Sequence, residues 1–147
     1  MTLTHIRHKT IGDTCVHDLY KDDAYWMSGI ENANTLLPVG EYGLTYRREN
    51  SPLWHRYKRN NLTASWFDWF IMLTGTGERK YVYEHSANEA RQIRGCIAHG
   101  NVNIDTGFCG SSLIHMAEFY TELKGKVNKS KYIILDVRDT MKYYVKH

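Results

Sequence analysis

Short runs rich in Tyr, Thr, Val and Trp recur along this chain, separated by clusters of Gly, Asn and Asp, with only two prolines among them. β-Branched and aromatic side chains suit a pleated, half-buried surface, and Gly, Asn and Asp supply the turns between strands. The texture therefore predicts a mainly β domain. Candidate strands cover residues 3–8, 14–20, 24–29, 40–47, 66–73, 80–85 and 132–137, with 142–146 as a last, edge-like strand. One helix stands out. Ser111 or Ser112 caps it, Leu113, Ala117, Tyr120 and Leu123 repeat at helical spacing with Ile114 beside them, and Gly125 ends it. The expected fold is mainly β (α+β): a compact mixed sheet or partly closed barrel with one main helix after a Gly-Cys-Ile turn.

At 147 residues and 42% hydrophobic content the chain matches one domain with one sizeable core, spanning residues 1–147. No apolar run is long enough to span a bilayer. The polar, basic start does not read as a secretory signal, so the expected location is a cytoplasm. Three cysteines without paired spacing do not form a disulfide framework, and at least one is a free thiol. The segment Leu37-Pro38-Val39-Gly40-Glu41-Tyr42 reads as a turn feeding a strand. Residues 49–61, rich in Arg, Lys, His, Asn and Trp, read as a long exposed loop. Trp66-Phe67-Asp68-Trp69-Phe70 reads as buried sheet.

One constellation carries chemistry. The run Tyr81-Val82-Tyr83-Glu84-His85 brings a strand to its end at a histidine, and Gly95-Cys96-Ile97 follows ten residues later. A cysteine attacks only as a thiolate, and a neighbouring imidazole takes its proton. A glycine before it permits a tight backbone approach, so that N–H groups face a developing oxyanion.

The chain resembles an uncharacterised family encoded by bacteriophages and prophages. That family has a strand ending in His-Pro-Gly-Asn, then polar residues, then Gly-Cys-Ile. Here His85-Ser86-Ala87-Asn88 keeps the His and Asn and replaces the Pro-Gly. The opening strands, the Leu37–Tyr42 turn and the helix after the cysteine resemble the family's as well. The same order is similar to the catalytic signature of L,D-transpeptidases, cell-wall enzymes in which a cysteine attacks a peptidoglycan stem peptide. Those enzymes have a longer His-to-Cys gap and an Arg soon after the cysteine; this chain has Ala98-His99 there.

The resemblance implies a phage-associated, cell-wall-active cysteine enzyme, located in the host cytoplasm or in a virion. Cys96 is the nucleophile, His85 the general base and then acid, and Gly95-Cys96 N–H groups hold the oxyanion. Arg94 or His99 stands in for the missing Arg at a substrate carboxylate, and Asn88 or a backbone carbonyl orients the imidazole. The expected partner is a peptidoglycan stem peptide, or a phage or host protein if the fold has lost its chemistry; no cofactor is expected. A metal site built from His85, Cys96, His99 and Cys109 lacks the two close ligand pairs of a closed zinc site, so no metal is expected. Nucleic-acid binding would rest on Arg47-Arg48 and on His55-Arg56-Tyr57-Lys58-Arg59 beside Trp54. A formal charge of only +3 and no recognised motif argue against it.

Overall fold

A computed structural model describes residues 1–138. Nine strands and two helices follow one another as β1 (Thr2–Ile11), β2 (Thr14–Lys21), β3 (Ala24–Asn32), β4 (Gly40–Arg47), α1 (Pro52–Arg59), β5 (Phe70–Thr74), β6 (Tyr83–Glu84), β7 (Ile97–Val102), β8 (Cys109–Gly110), α2 (Ser112–Leu123) and β9 (Lys131–Asp136). The strands run β3-β2-β1-β9-β4-β5-β6-β7-β8, and a β3–β7 pairing joins the sheet to itself. Eight strands thus form a closed barrel, with β8 as an extra strand on β7. β1 with β9 and β6 with β7 are parallel; the other pairs are antiparallel, so the barrel is mixed.

Closure follows from alternation. Along β1, Leu3, His5 and Arg7 are buried while Thr4 and Ile6 are less so, and the register sets Arg7 opposite His17, His17 opposite Gly29 and Gly29 opposite His99. Successive side chains point to opposite faces of a strand, so these residues share the barrel interior. Leu3, Leu19, Met27, Ile71, Leu73, Tyr132 and Ile134 belong to the main apolar cluster, which also takes in Met116, Phe119, Tyr120 and Leu123 from α2. A second cluster of Val16, Ile30, Ala87, Ile93, Ala98 and Cys109 lies outside the wall.

The structure extends or trims most expected strands by a few residues and moves others. Residues 66–69 form turns rather than sheet, although Phe67 and Phe70 are buried with Tyr57, Tyr83 and Tyr120 as expected of core aromatics. The expected loop at 49–61 instead contains α1. Ser51 accepts the Trp54 N–H at 3.2 Å and Pro52 opens the first turn, a capped start that the basic composition concealed. The expected Gly95-Cys96-Ile97 turn leads straight into strand β7, Ile97–Val102, which was not among the candidate strands.

Helix α2 ends where expected, with Gly125 at φ +78°. Its buried side is Ser112, Met116, Phe119, Tyr120 and Leu123, rotated from the expected face; Ile114 is 63% exposed. The expected serine cap is absent. Ser111 holds a left-handed conformation without a capping bond, and Ser112 Oγ donates to the His99 carbonyl at 2.8 Å and accepts from Ala87 N at 3.1 Å. All three cysteines are free. No helix among the described residues is long and apolar enough to cross a membrane. The expected strand at 142–146 lies outside the described residues.

Candidate functional site

Strands β6 and β7 position the predicted pair. Glu84 is in register with Ile97, and the His85 N–H donates to the Ile97 carbonyl at 3.0 Å. Glu84 and Ile97 point inward. His85 is one step beyond Glu84 and Cys96 one step before Ile97, so both turn to the outer face. Two rows of a parallel ladder separate their Cα atoms, about 8 Å by strand geometry.

Each side chain has its own partner. His85 Nδ1 is 3.0 Å from the Ser86 carbonyl, which fixes Nδ1 as the protonated nitrogen and leaves Nε2 as the basic one. Burial lowers the His85 pKa, opposed by the Ser86 carbonyl and Glu84. The Cys96 thiol donates to the Tyr81 carbonyl at 3.6 Å, and burial, with Glu84, pushes its pKa up to about 12. Tyr81 itself sits at φ +60° beneath the Arg47 guanidinium, 3.5 Å from its ring centre. The resting site therefore holds a neutral thiol and a neutral imidazole.

The neighbours fall differently from expectation. Gly95 has φ +76°, the left-handed turn that a glycine supplies most readily, but its N–H donates to Thr35 Oγ1 at 2.8 Å and is not free to meet an oxyanion. Arg94 is exposed on the same turn and makes no hydrogen bond or ion pair with a described residue. Asn88 does not orient the imidazole: its Nδ2 donates to the Cys109 carbonyl at 2.7 Å and its own carbonyl accepts the Cys109 N–H. His99 cannot replace the missing Arg, because it is fully buried inside the barrel on the face opposite Cys96. Cys109 is fully buried in the outer cluster, so the four candidate ligands His85, Cys96, His99 and Cys109 do not converge.

Beside His85 an open groove of about 1230 Å³ runs between α1, residues 60–66 and α2. Leu53, Leu62, Trp66, Leu113, Ile114 and Ala117 give it apolar walls, His85, Ser86 and Asn88 a polar edge, and Arg56 and Glu118 opposite charges. Cys96 is not among its lining residues. Tyr57 ties the groove to the site: its hydroxyl is 2.7 Å from Ser86 Oγ and accepts the Ser86 N–H at 3.0 Å. Trp54, the aromatic of the basic stretch, stacks on Trp69 with ring centres 5.2 Å apart and donates Nε1–H to the Asp68 carbonyl, which covers one face of its ring.

A second set of functional groups escaped the sequence reading. Inside the barrel, Glu31 accepts from Arg7 Nε at 3.0 Å and Arg7 Nη2 at 2.9 Å, and its Oε1 is 2.5 Å from His5 Nε2. Burial opposes the charge, but His5 and Arg7 hold the Glu31 carboxyl down at about 2. His5 Nδ1 meets the Tyr132 hydroxyl at 2.7 Å, and His17 Nε2 meets His99 Nδ1 at 3.0 Å. His99 Nε2 lies 2.8 Å from Glu84 Oε2, but off the direction that a hydrogen bond requires. His5, His17, Glu84 and His99 have no solvent exposure at all. The available signal was the period-two pattern His5-x-Arg7 on a strand, which places both side chains on one face.

Compared with protein-family models, with curated proteins and with solved structures, the chain gives no match.

Proposed function

We propose that the chain is a phage-associated cysteine enzyme of the L,D-transpeptidase type, acting on peptidoglycan stem peptides through Cys96 and His85. The reading is supported by one observation: β6 and β7 pair in parallel where Glu84 meets Ile97, so strand alternation gives the flanking His85 and Cys96 the same side, with His85 Nδ1 3.0 Å from a carbonyl and Nε2 left to act as base. In this mechanism the Cys96 proton passes to His85 Nε2 as the sulfur attacks a peptide carbonyl. The C–N bond breaks, the amine leaves with the proton from His85, and a thioester remains on Cys96. Water then releases an acid, or a second amine forms a new peptide bond. In this reading Arg94, exposed one residue before Gly95, meets a substrate carboxylate.

The test is incubation with purified peptidoglycan and mass spectrometry of the muropeptides. New cross-links or cleaved stems that vanish in Cys96→Ala and His85→Gln, with a thioester adduct on Cys96, support the proposal. Unchanged muropeptides across sacculi of different cross-link chemistry, with no adduct, overturn it.

A second reading has its own support. The thiol raised to about 12, bonded to a carbonyl rather than an imidazole, and the Gly95 N–H held by Thr35 favour a non-enzymatic phage virion or host-interaction protein on this fold. Fold alone does not carry activity. Unaltered phage fitness in a Cys96→Ala variant, with loss only on mutation of the groove, would select this reading.

A further inference from the structure

The barrel interior holds a polar layer that its own hydrogen bonds cannot satisfy. His17 Nδ1, both oxygens of Glu84 and His99 Nε2 are buried without a hydrogen-bond partner among the described residues. An uncharged imidazole carries one N–H and one lone pair, so the 3.0 Å contact between His17 Nε2 and His99 Nδ1 allows two arrangements. If His17 donates, its Nδ1 is a bare lone pair facing Glu31 Oε1 at 3.8 Å. If His99 donates, its Nε2 is a bare lone pair facing the Glu84 carboxyl at 2.8 Å. Either way two electron pairs meet in a dry interior with no hydrogen between them, an arrangement proteins avoid.

A cation removes the conflict in the first arrangement. His5 Nε2, His17 Nδ1 and a Glu31 carboxylate oxygen all lie within 4.8 Å of one another. The His5 and His17 rings stack at 3.6 Å and 18°, so one ring turns out of the stack when both in-plane lone pairs meet a single ion. Metal bonds of about 2.0–2.2 Å hold tetrahedral ligand atoms about 3.3 Å apart, so the ion replaces the 2.5 Å His5–Glu31 hydrogen bond, those two atoms separate by nearly an ångström, and His17 Nδ1 closes from 3.8 Å.

We propose that His5, His17 and Glu31 form a buried site for a divalent transition-metal ion inside the barrel. Two imidazoles and one carboxylate suit zinc and its neighbours rather than calcium or magnesium. When the ion takes His5 Nε2, the His5 proton sits on Nδ1 and is donated to the Tyr132 hydroxyl 2.7 Å away. That hydroxyl lies beside Glu84 and passes its own hydrogen there. His17 Nε2–H then donates to His99, whose Nε2–H comes to Glu84 Oε2, 2.8 Å away, once the ring turns into line. The bare lone pair on His17 Nδ1 gains a partner of opposite kind. Arg7 keeps Glu31 Oε2 and the Leu37 carbonyl, at 2.9 and 2.8 Å, and orients the carboxylate from behind. Gly29 is part of the design: a Cβ there would stand 2.4 Å from His17 Nε2, so the glycine makes the room the ring occupies.

The proposal is independent of the cysteine chemistry, and its test is separate. Tag-free protein purified without chelator is analysed for metals, then unfolded with EDTA and refolded with Zn²⁺, with Co²⁺, or with neither. The expected result is about one ion per chain, a visible Co²⁺ d–d band without thiolate charge transfer, and a melting temperature several degrees higher with Zn²⁺. Glu31→Gln and His17→Gln abolish the band, and Cys96→Ala keeps it. If either core variant fails to fold, the wild-type measurements decide alone. Less than about a tenth of an ion per chain, no Co²⁺ band and no Zn²⁺-dependent shift overturn the site.

Discussion

Replacing Gly29 by alanine tests whether the polar interior is packed as tightly as the register implies. The added Cβ would lie 2.3 Å from the Ala98 carbonyl oxygen and 2.4 Å from His17 Nε2, both closer than real contacts allow. The backbone at Gly29 is not in the left-handed region, so the cost is spatial rather than conformational. Overpacking a filled interior costs about 1–3 kcal/mol. Displacing His17 also breaks its 3.0 Å contact with His99 and leaves a buried ring nitrogen unpaired, a further cost of about 1–3 kcal/mol. Reduced entropy of the unfolded chain returns about 0.4–1 kcal/mol. The net expectation is a destabilisation of about 1–5.5 kcal/mol, which corresponds to a fall in melting temperature of roughly 2–20 °C for a domain of this size.

Gly43→Ala is the matched comparison. Its Cβ would meet Thr74 Oγ1 at 2.5 Å, a rotatable side chain on a half-buried position, with the next atom at 3.9 Å. That substitution costs under about 1 kcal/mol. Urea titrations of both variants at neutral pH measure the difference. If Gly29→Ala unfolds within about 0.5 kcal/mol of the parent, the closed, filled interior described for β2, β3 and β7 is wrong.

Three further outcomes follow from the same contacts. Alkylation of Cys96 by iodoacetamide, followed by peptide mapping, rises about tenfold per pH unit towards about 12 in the resting protein; half-maximal labelling near pH 8 would show that the thiol is not shielded as its burial implies. His85 has a lowered pKa in the folded state, so the unfolded chain takes up the proton first. Its contribution to stability is full above about pH 6.5 and falls with acidification, by up to about 1.4 kcal/mol per pH unit, and His85→Gln removes that slope in denaturant titrations across pH 5–7. Ser112→Ala leaves the His99 carbonyl and the Ala87 N–H without their buried partner and costs about 1–3 kcal/mol; a change under about 0.5 kcal/mol would mean that water replaces the hydroxyl.

What could be read in the sequence was whatever shows as local pattern. Strand β4 was found at its observed limits because Pro38 and Gly40 mark its start, and α2 was found because Gly125 stops it. Its buried face was misjudged by a rotation, since Leu113, Ile114 and Ala117 are apolar yet line an open groove, and only the tertiary fold decides which apolar stripe meets the barrel. Strand β7 hid because a barrel that buries charge reverses the usual rule that inward residues are apolar. The site divides in the same way. That the segments of His85 and Cys96 run side by side depends on adjacent strands close in sequence, while each side chain bonds a backbone carbonyl, of Ser86 and of Tyr81, that no spacing announces. His5, His17, Glu31, Glu84, His99 and Tyr132 come from six different strands, and no spacing rule brings them together.

The two chemical sets share β6 and β7, and this shared wall couples them. Glu84 faces inward to His99, and His85, the next residue, faces outward beside the groove. Ile97 faces inward and Cys96 outward, so a shift of either strand along the ladder moves both sets at once. Glu84 also enters the electrostatics of the outer pair: it raises the Cys96 pKa and opposes the lowering at His85. A cation in the barrel draws the interior charge towards itself and weakens the field of Glu84 at the thiol, which favours the thiolate. Zn²⁺ loading is therefore expected to increase the alkylation rate of Cys96 at fixed pH, and Glu84→Gln to increase it in metal-free protein. Rates that are the same in all three states would mean that the barrel interior and the outer face are electrostatically independent.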